Sequence, residues 1–276
     1  MKLKFIAAAA AAVVGMLASA SSFAVISTPG TSGGGELFLV VYEQTAANGG
    51  LDQSFALDLG VTTSQFYAAN STPAVWATLN ASTNSTWANF LATSDLGSLQ
   101  YAVIGAQQTN SAAVQATSTA VFSTVTVGSE GLVQGATTNS QLTTIISGSI
   151  SSYSTALNAT GTHSSLANGE SLNATGTDGY FQTANMAAFN NGLKFTNNNA
   201  VGVVSEFTSL YRAGTTGAAK ALQQVEPMTV SFAQSGNAYV LNYGAVQAVP
   251  EASGSAMALA GMGLMGVFAI RRKKQA

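Results

Sequence analysis

The chain of 276 residues contains no cysteine. That excludes disulfides, thiolate metal sites and a cysteine nucleophile. Charge is nearly as scarce. Charged residues make up 7% of the chain, against roughly 25% in an ordinary soluble domain. Between residues 25 and 250 the only cations are Lys194, Arg212 and Lys220, against ten carboxylates, which leaves about −7. No basic stripe is available to meet phosphate, so nucleic acid is not an expected partner. Histidine occurs once, as His163 in the loop-like stretch "GTHSS". A Ser-His-Asp arrangement would have to use it, and a histidine metal site would need further ligands beside it. No motif supplies them, and G-x-S-x-G is absent as well. His163 therefore reads as a solvated loop residue, and the sequence names no catalytic residue, no metal ligand and no cofactor.

Apolar residues, by contrast, are plentiful at 47%, enough for a sizeable core. Ser, Thr, Asn, Gln and Gly take the place of charge on the surface. The first stretch, "MKLKFIAAAAAAVVGMLASASSFA", has Lys2 and Lys4, an apolar run from Phe5 to about Ala18, and then small residues. This pattern predicts a secretory signal peptide over 1–24, cleaved by signal peptidase after Ala24. Ser22-Phe23-Ala24 fits the small-x-small rule, and Ala18-Ser19-Ala20 offers a second site.

The last stretch is "VPEASGSAMALAGMGLMGVFAIRRKKQA". Residues 252–270 carry no charge. At about 1.5 Å per residue they span roughly 28 Å, close to the hydrocarbon thickness of a bilayer. Arg271, Arg272, Lys273 and Lys274 then form a positive-inside, stop-transfer tip. Such a chain pauses in the inner membrane with its body facing outward.

Just before that span sit Val249, Pro250, Glu251 and Ala252. The motif, the apolar run to Ile270 and Arg271-Arg272, in this order at the C-terminus, resemble the PEP-CTERM sorting signal of Gram-negative bacteria. One departure is Ala252, where the name-giving motif has its second proline. The resemblance implies that exosortase, a membrane-embedded transpeptidase, recognises Pro250 and Glu251, cuts at the motif and passes the protein on. Proline holds the backbone extended just outside the helix, the form a peptidase cleft accepts. The body, which opens "GELFLVVYEQ…SFALDLGVT", also looks like a group of proteins carrying this tail. The wider family is associated with exopolysaccharide production and with biofilm or floc formation. An uncut tail would instead be a permanent anchor.

Residues 25–248 form the expected exported ectodomain, followed by the sorting signal at 249–276. Residues 36–44 and 52–60 read as neighbouring strands with a turn cluster at 45–50. Residues 64–70 read as a short extended piece. A short helix is expected over 82–95, capped by Ser82 or Asn84, and strands over 98–107 and 119–128. Leu142, Ile145, Ile146, Ile150, Tyr153 and Leu157 make one helical stripe, with Asn139 or Ser140 as cap and Gly148 a weak point. Residues 158–200 read as a polar surface excursion in which "LNATGT" occurs twice, at 157–162 and 172–177, as two similar turns. Strands return at 200–214, 225–234 and 238–246, where Pro227 marks an edge strand or a strand's first residues. The fold class expected is mainly β: one antiparallel β-sandwich-like domain with a few packed helices, besides the leader and one C-terminal transmembrane helix.

Some chemistry can still be placed. Glu36, Glu43, Asp52 and Asp58 lie on adjacent expected strands, and a carboxylate pair can cut a glycosidic bond. The plainer reading is charge at strand ends. "NGGLDQS" and "TGTDGYF" put Asp52 and Asp178 beside Gly and Asn carbonyls, a weak calcium pattern that matches no EF-hand. Trp76 or Trp87 could stack on sugars, although core packing is the commoner use. Five Asn-x-Ser/Thr sites occur, at Asn70, Asn80, Asn84, Asn158 and Asn173. The expectation is an exported, non-enzymatic surface or matrix protein, sorted by exosortase and associated with exopolysaccharide. The alternatives are a secreted polysaccharide-modifying enzyme using a carboxylate pair and a permanently anchored structural protein.

Overall fold

The fold starts from β1 (Glu36–Glu43), whose eight residues are all buried. It reads as a continuous apolar run because both of its faces are covered. The structure, a computed structural model, describes residues 25–30, 34–43, 53–108, 119–128, 137–160, 169–181, 186 and 198–244. After β1 come β2 (Gln53–Thr62), α1 (Thr63–Ala69), β3 (Ala74–Asn80), α2 (Ser85–Thr93), β4 (Leu99–Gln108) and β5 (Thr119–Thr126). A long helix follows as α3 (Asn139–Thr144), a π-helical segment (Ile145–Ile150) and α4 (Ser151–Asn158). Then come β6 (Glu170–Ala174), β7 (Asn199–Ala200), β8 (Val204–Tyr211), β9 (Leu222–Ser235) and β10 (Ala238–Gly244). The compact unit closes at Gly244.

The strands make one antiparallel sheet in the order β3-β10-β9-β8-β5-β4-β1-β2-β6, with β7 paired to β4. The expected two-sheet sandwich is therefore corrected to a single open, curled sheet. The curl shows in α2. Trp87 touches Phe55 on β2 at 4.9 Å and Tyr239 on β10 at 5.2 Å between ring centroids, although those strands lie near opposite ends of the sheet. A twisted sheet of this width can wrap around its own core. The concave face buries Leu37, Leu39, Val41, Phe55, Phe122 and Phe232 against α1 and α2. The convex face buries Phe38, Val40, Tyr42, Ile104 and Val121 under the 139–158 helix. Alternate residues of β1 thus feed opposite cores, as the strand's period of two requires.

The helical stripe from Leu142 to Leu157 packs on the convex core as expected. Its cap is Thr138, in a reciprocal capping box with Gln141, not Asn139 or Ser140. Asn139 is buried instead and donates to the carbonyls of Ala213 and Thr216. Asn84 caps α2, accepting from the Trp87 N–H at 2.7 Å.

Residues 64–70, expected to be extended, form α1. The Thr62–Gln65 capping box starts it, and Phe66 pins it to the concave core. Pro227 lies inside β9, which is paired on both sides and is not an edge. It sits at the register shift opposite Phe207 and beyond the last β10 pair, Gly244↔Thr229. No ladder donor is required there. The two "LNATGT" copies differ: the first ends α4, and the second ends β6 and turns. No helix among the described residues is long and apolar enough to cross a membrane. The expected leader (1–24) and span (252–270) lie outside them.

Candidate functional site

Val249, Pro250, Glu251, Ala252, Arg271, Arg272, Lys273, Lys274 and Ala24 all lie outside the described residues, as do Asp52 and His163. The structure does place the other carboxylates. Glu43 closes β1 opposite Leu99 and accepts from the Asp95 N–H at 2.9 Å. Glu36 opens the same strand, ~23 Å away at about 3.3 Å per residue. Those two do not share a site.

Glu36 and Asp58 do come together. Glu36 faces Thr62 and Phe38 faces Asp58, because the register slips between Leu37 and Phe38 and leaves Leu59 and Gly60 as extra residues on β2. That bulge brings Asp58 beside Glu36. Glu36 is 2% exposed and Asp58 is fully buried. One Asp58 oxygen accepts from the Gly60 N–H at 2.8 Å, and the other, Oδ2, has no hydrogen-bond partner among the described residues. Burial, and then the neighbouring Glu36, push Asp58 from its ordinary 3.8 up to about 7. Burial also raises Glu36, against the pull of the Ser27 hydrogen bond. The pair is enclosed in the body and presents no open face to a polymer chain.

A further buried carboxylate, on the other face of the sheet, had no sequence signal. Glu226, on the concave side of β9, accepts from Ser209 Oγ at 2.9 Å and from Asn70 Nδ2 at 3.4 Å. Burial raises its pKa, and these donors oppose the shift. The Tyr243 hydroxyl donates to the Asn70 carbonyl at 2.6 Å, tying α1's end to β10. Trp76 of β3 stacks on Tyr243 at 4.7 Å and 4°. Trp87 is wholly buried. Both tryptophans therefore serve the concave core.

Among the described residues no group of three or more His, Cys, Asp or Glu stands ready for a metal. Asp178 is exposed on a turn after β6. The five sequon asparagines all use their side chains internally. Asn80 accepts from Ser82, Asn84 caps α2, Asn70 meets Glu226, Asn158 binds the backbone of Ile26, and Asn173 bonds Ser171.

Four residues separate Gly244, where β10 ends, from Val249. Residues 248–273 match the family model of the PEP-CTERM protein-sorting motif. This motif marks an exported protein for exosortase processing at a Gram-negative inner membrane. No curated protein and no solved structure matches the chain.

Proposed function

From a chain that ends in a PEP-CTERM sorting motif, we propose an exported, non-enzymatic component of the cell surface or extracellular matrix. Signal peptidase removes residues 1–24 while the secretion machinery carries the body across the inner membrane. The 252–270 helix holds the body there for a time, with Arg271 to Lys274 in the cytoplasm. Exosortase then cuts at Val249–Ala252, and the body passes to the surface, where it associates with exopolysaccharide in a biofilm or floc.

The match over residues 248–273 carries this reading. The body adds two supports. The one pair of neighbouring buried carboxylates among the described residues, Glu36 and Asp58, is sealed from a polymer substrate. Exposed positions on the neighbouring strands β3, β9 and β10 carry Thr78, Gln234 and Asn242, uncharged groups suited to hydrogen-bonding sugars. Contacts of that kind respond little to salt.

Fractionation of host cells with and without exosortase tests the proposal. With the enzyme, the body leaves the inner membrane and pellets with purified exopolysaccharide at low and high salt. Without it, the body stays in the membrane fraction. A body found in the cytoplasm overturns the sorting, and a sorted body that never pellets with the polymer overturns the matrix role.

A further inference from the structure

The first described residues are built into the body. Ile26 is 1% exposed and belongs to the convex core. Its N–H donates to Asn158 Oδ1 at 2.8 Å, and its carbonyl accepts from Asn158 Nδ2 at 3.0 Å. The Ser27 N–H donates to Glu36 Oε2 at 2.6 Å, while the Ser27 carbonyl accepts from the Glu36 N–H at 3.2 Å. The Gln108 N–H donates to the Pro29 carbonyl at 2.8 Å. This arm, 25–29, is thus fastened to α4, β1 and β4. Gly35 is crowded where the arm returns to β1, since a Cβ there would lie 2.4 Å from the Ala106 carbonyl oxygen.

The arm's anchor on β1 is also the site of the buried carboxylates. Glu36 holds Ser27 on one side and lies beside Asp58 on the other. The elements around the pair offer no counter-charge. The arm, β4 and the 139–158 helix carry no charged residue, and β1 and β2 add only Glu43, at the far end. Glu170 of β6 pairs with Leu57, whose side chain joins the concave core, so it sits on the other face, where Asn84 donates to it. Tyr42 and Tyr153 of the convex core are held neutral by burial. No Lys, Arg or His stands on any of these elements.

We propose that the arm is a pH-gated latch, seated while the Glu36–Asp58 pair keeps a proton and lifted when both carboxylates ionise. Two adjacent negative charges without a cation need water. The arm is the cheapest cover to open: it is held by a handful of hydrogen bonds and two buried apolar side chains, Ile26 and Pro29, whereas the other covers are sheet and long helix. The elevated titration of Asp58 puts the gate near neutral pH. The inference does not depend on the sorting route, since it concerns only the folded body.

Hydrogen exchange on the chain purified from its host, read by mass spectrometry and corrected for intrinsic rates, tests it. The Ile26, Ser27 and Glu36 amides lose at least tenfold protection between pH 6 and pH 8.5, while β5 and β9 keep theirs. Asp58→Asn keeps the arm protected at pH 8.5. Asn158→Ala loosens the arm already at pH 6 without touching the strands. Equal arm protection at both pH values, an unchanged pH response in Asp58→Asn, or loss spread over the whole sheet would each overturn the latch.

Discussion

Replacing Asp58 with Asn is expected to flatten the pH dependence of stability. Asp58 titrates near 3.8 when unfolded and near 7 in the fold. Between those values the folded state binds more protons than the unfolded chain, so stability falls as pH rises. Below about pH 4 both states are protonated and the group costs nothing. Above about pH 7 the full shift of roughly three units applies, about 4 kcal/mol at 1.36 kcal/mol per unit. About 2 kcal/mol of that falls between pH 5 and pH 7, and nearly 3 kcal/mol between pH 5 and pH 8. Lifting of the N-terminal arm would reduce the loss, so these figures are ceilings. Glu36, Glu170 and Glu226 are also raised by burial and leave a slope of the same sign in the variant. The informative quantity is therefore a double difference: urea stability of parent and Asp58→Asn at pH 5 and pH 8. The parent should lose up to about 3 kcal/mol more than the variant over that interval. A double difference of zero, or one favouring the parent at pH 8, would refute the account of the buried pair.

Two other perturbations follow from the same structure. Trp87→Ala empties the centre of the concave core, where the ring meets Phe55, Phe90, Phe232 and Tyr239. It should cost about 3–5 kcal/mol in denaturant titration, and a cost below 1 kcal/mol would mean that α2 does not plug the curl. Glu251→Ala should leave the folded body's melting temperature unchanged while the uncut protein accumulates in the inner membrane. Normal release of that variant would place the recognition elsewhere.

What could be read from the residues depended on how local each signal was. The sorting tail is a linear message, needing only Pro250-Glu251, an uncharged run and a basic tip, so the motif matched at 248–273 was legible. β1, β4 and the Leu142–Leu157 stripe were legible because burial on both faces, or along one face, writes itself into composition. α1 was missed because "SQFYAAN" is short and aromatic, although the Thr62–Gln65 cap was there to find. The repeated hexapeptide marks the limit of local reasoning. The described part of the first copy, 157–160, ends a helix and the second copy ends a strand, so tertiary neighbours decide. One curled sheet and two stacked sheets share the same alternation, and only long-range pairing separates them. That Glu36 and Asp58 would stand on adjacent strands was readable, but that they meet depends on the bulge after Leu37, which no local pattern announces.

The routing claim is tested most directly by the intact mass of the protein recovered from outside its host's inner membrane. The account expects a chain that begins at Val25 and has lost everything beyond the Val249–Ala252 motif, including Arg271 to Lys274. A recovered chain that still carries the leader or the basic tip would contradict it.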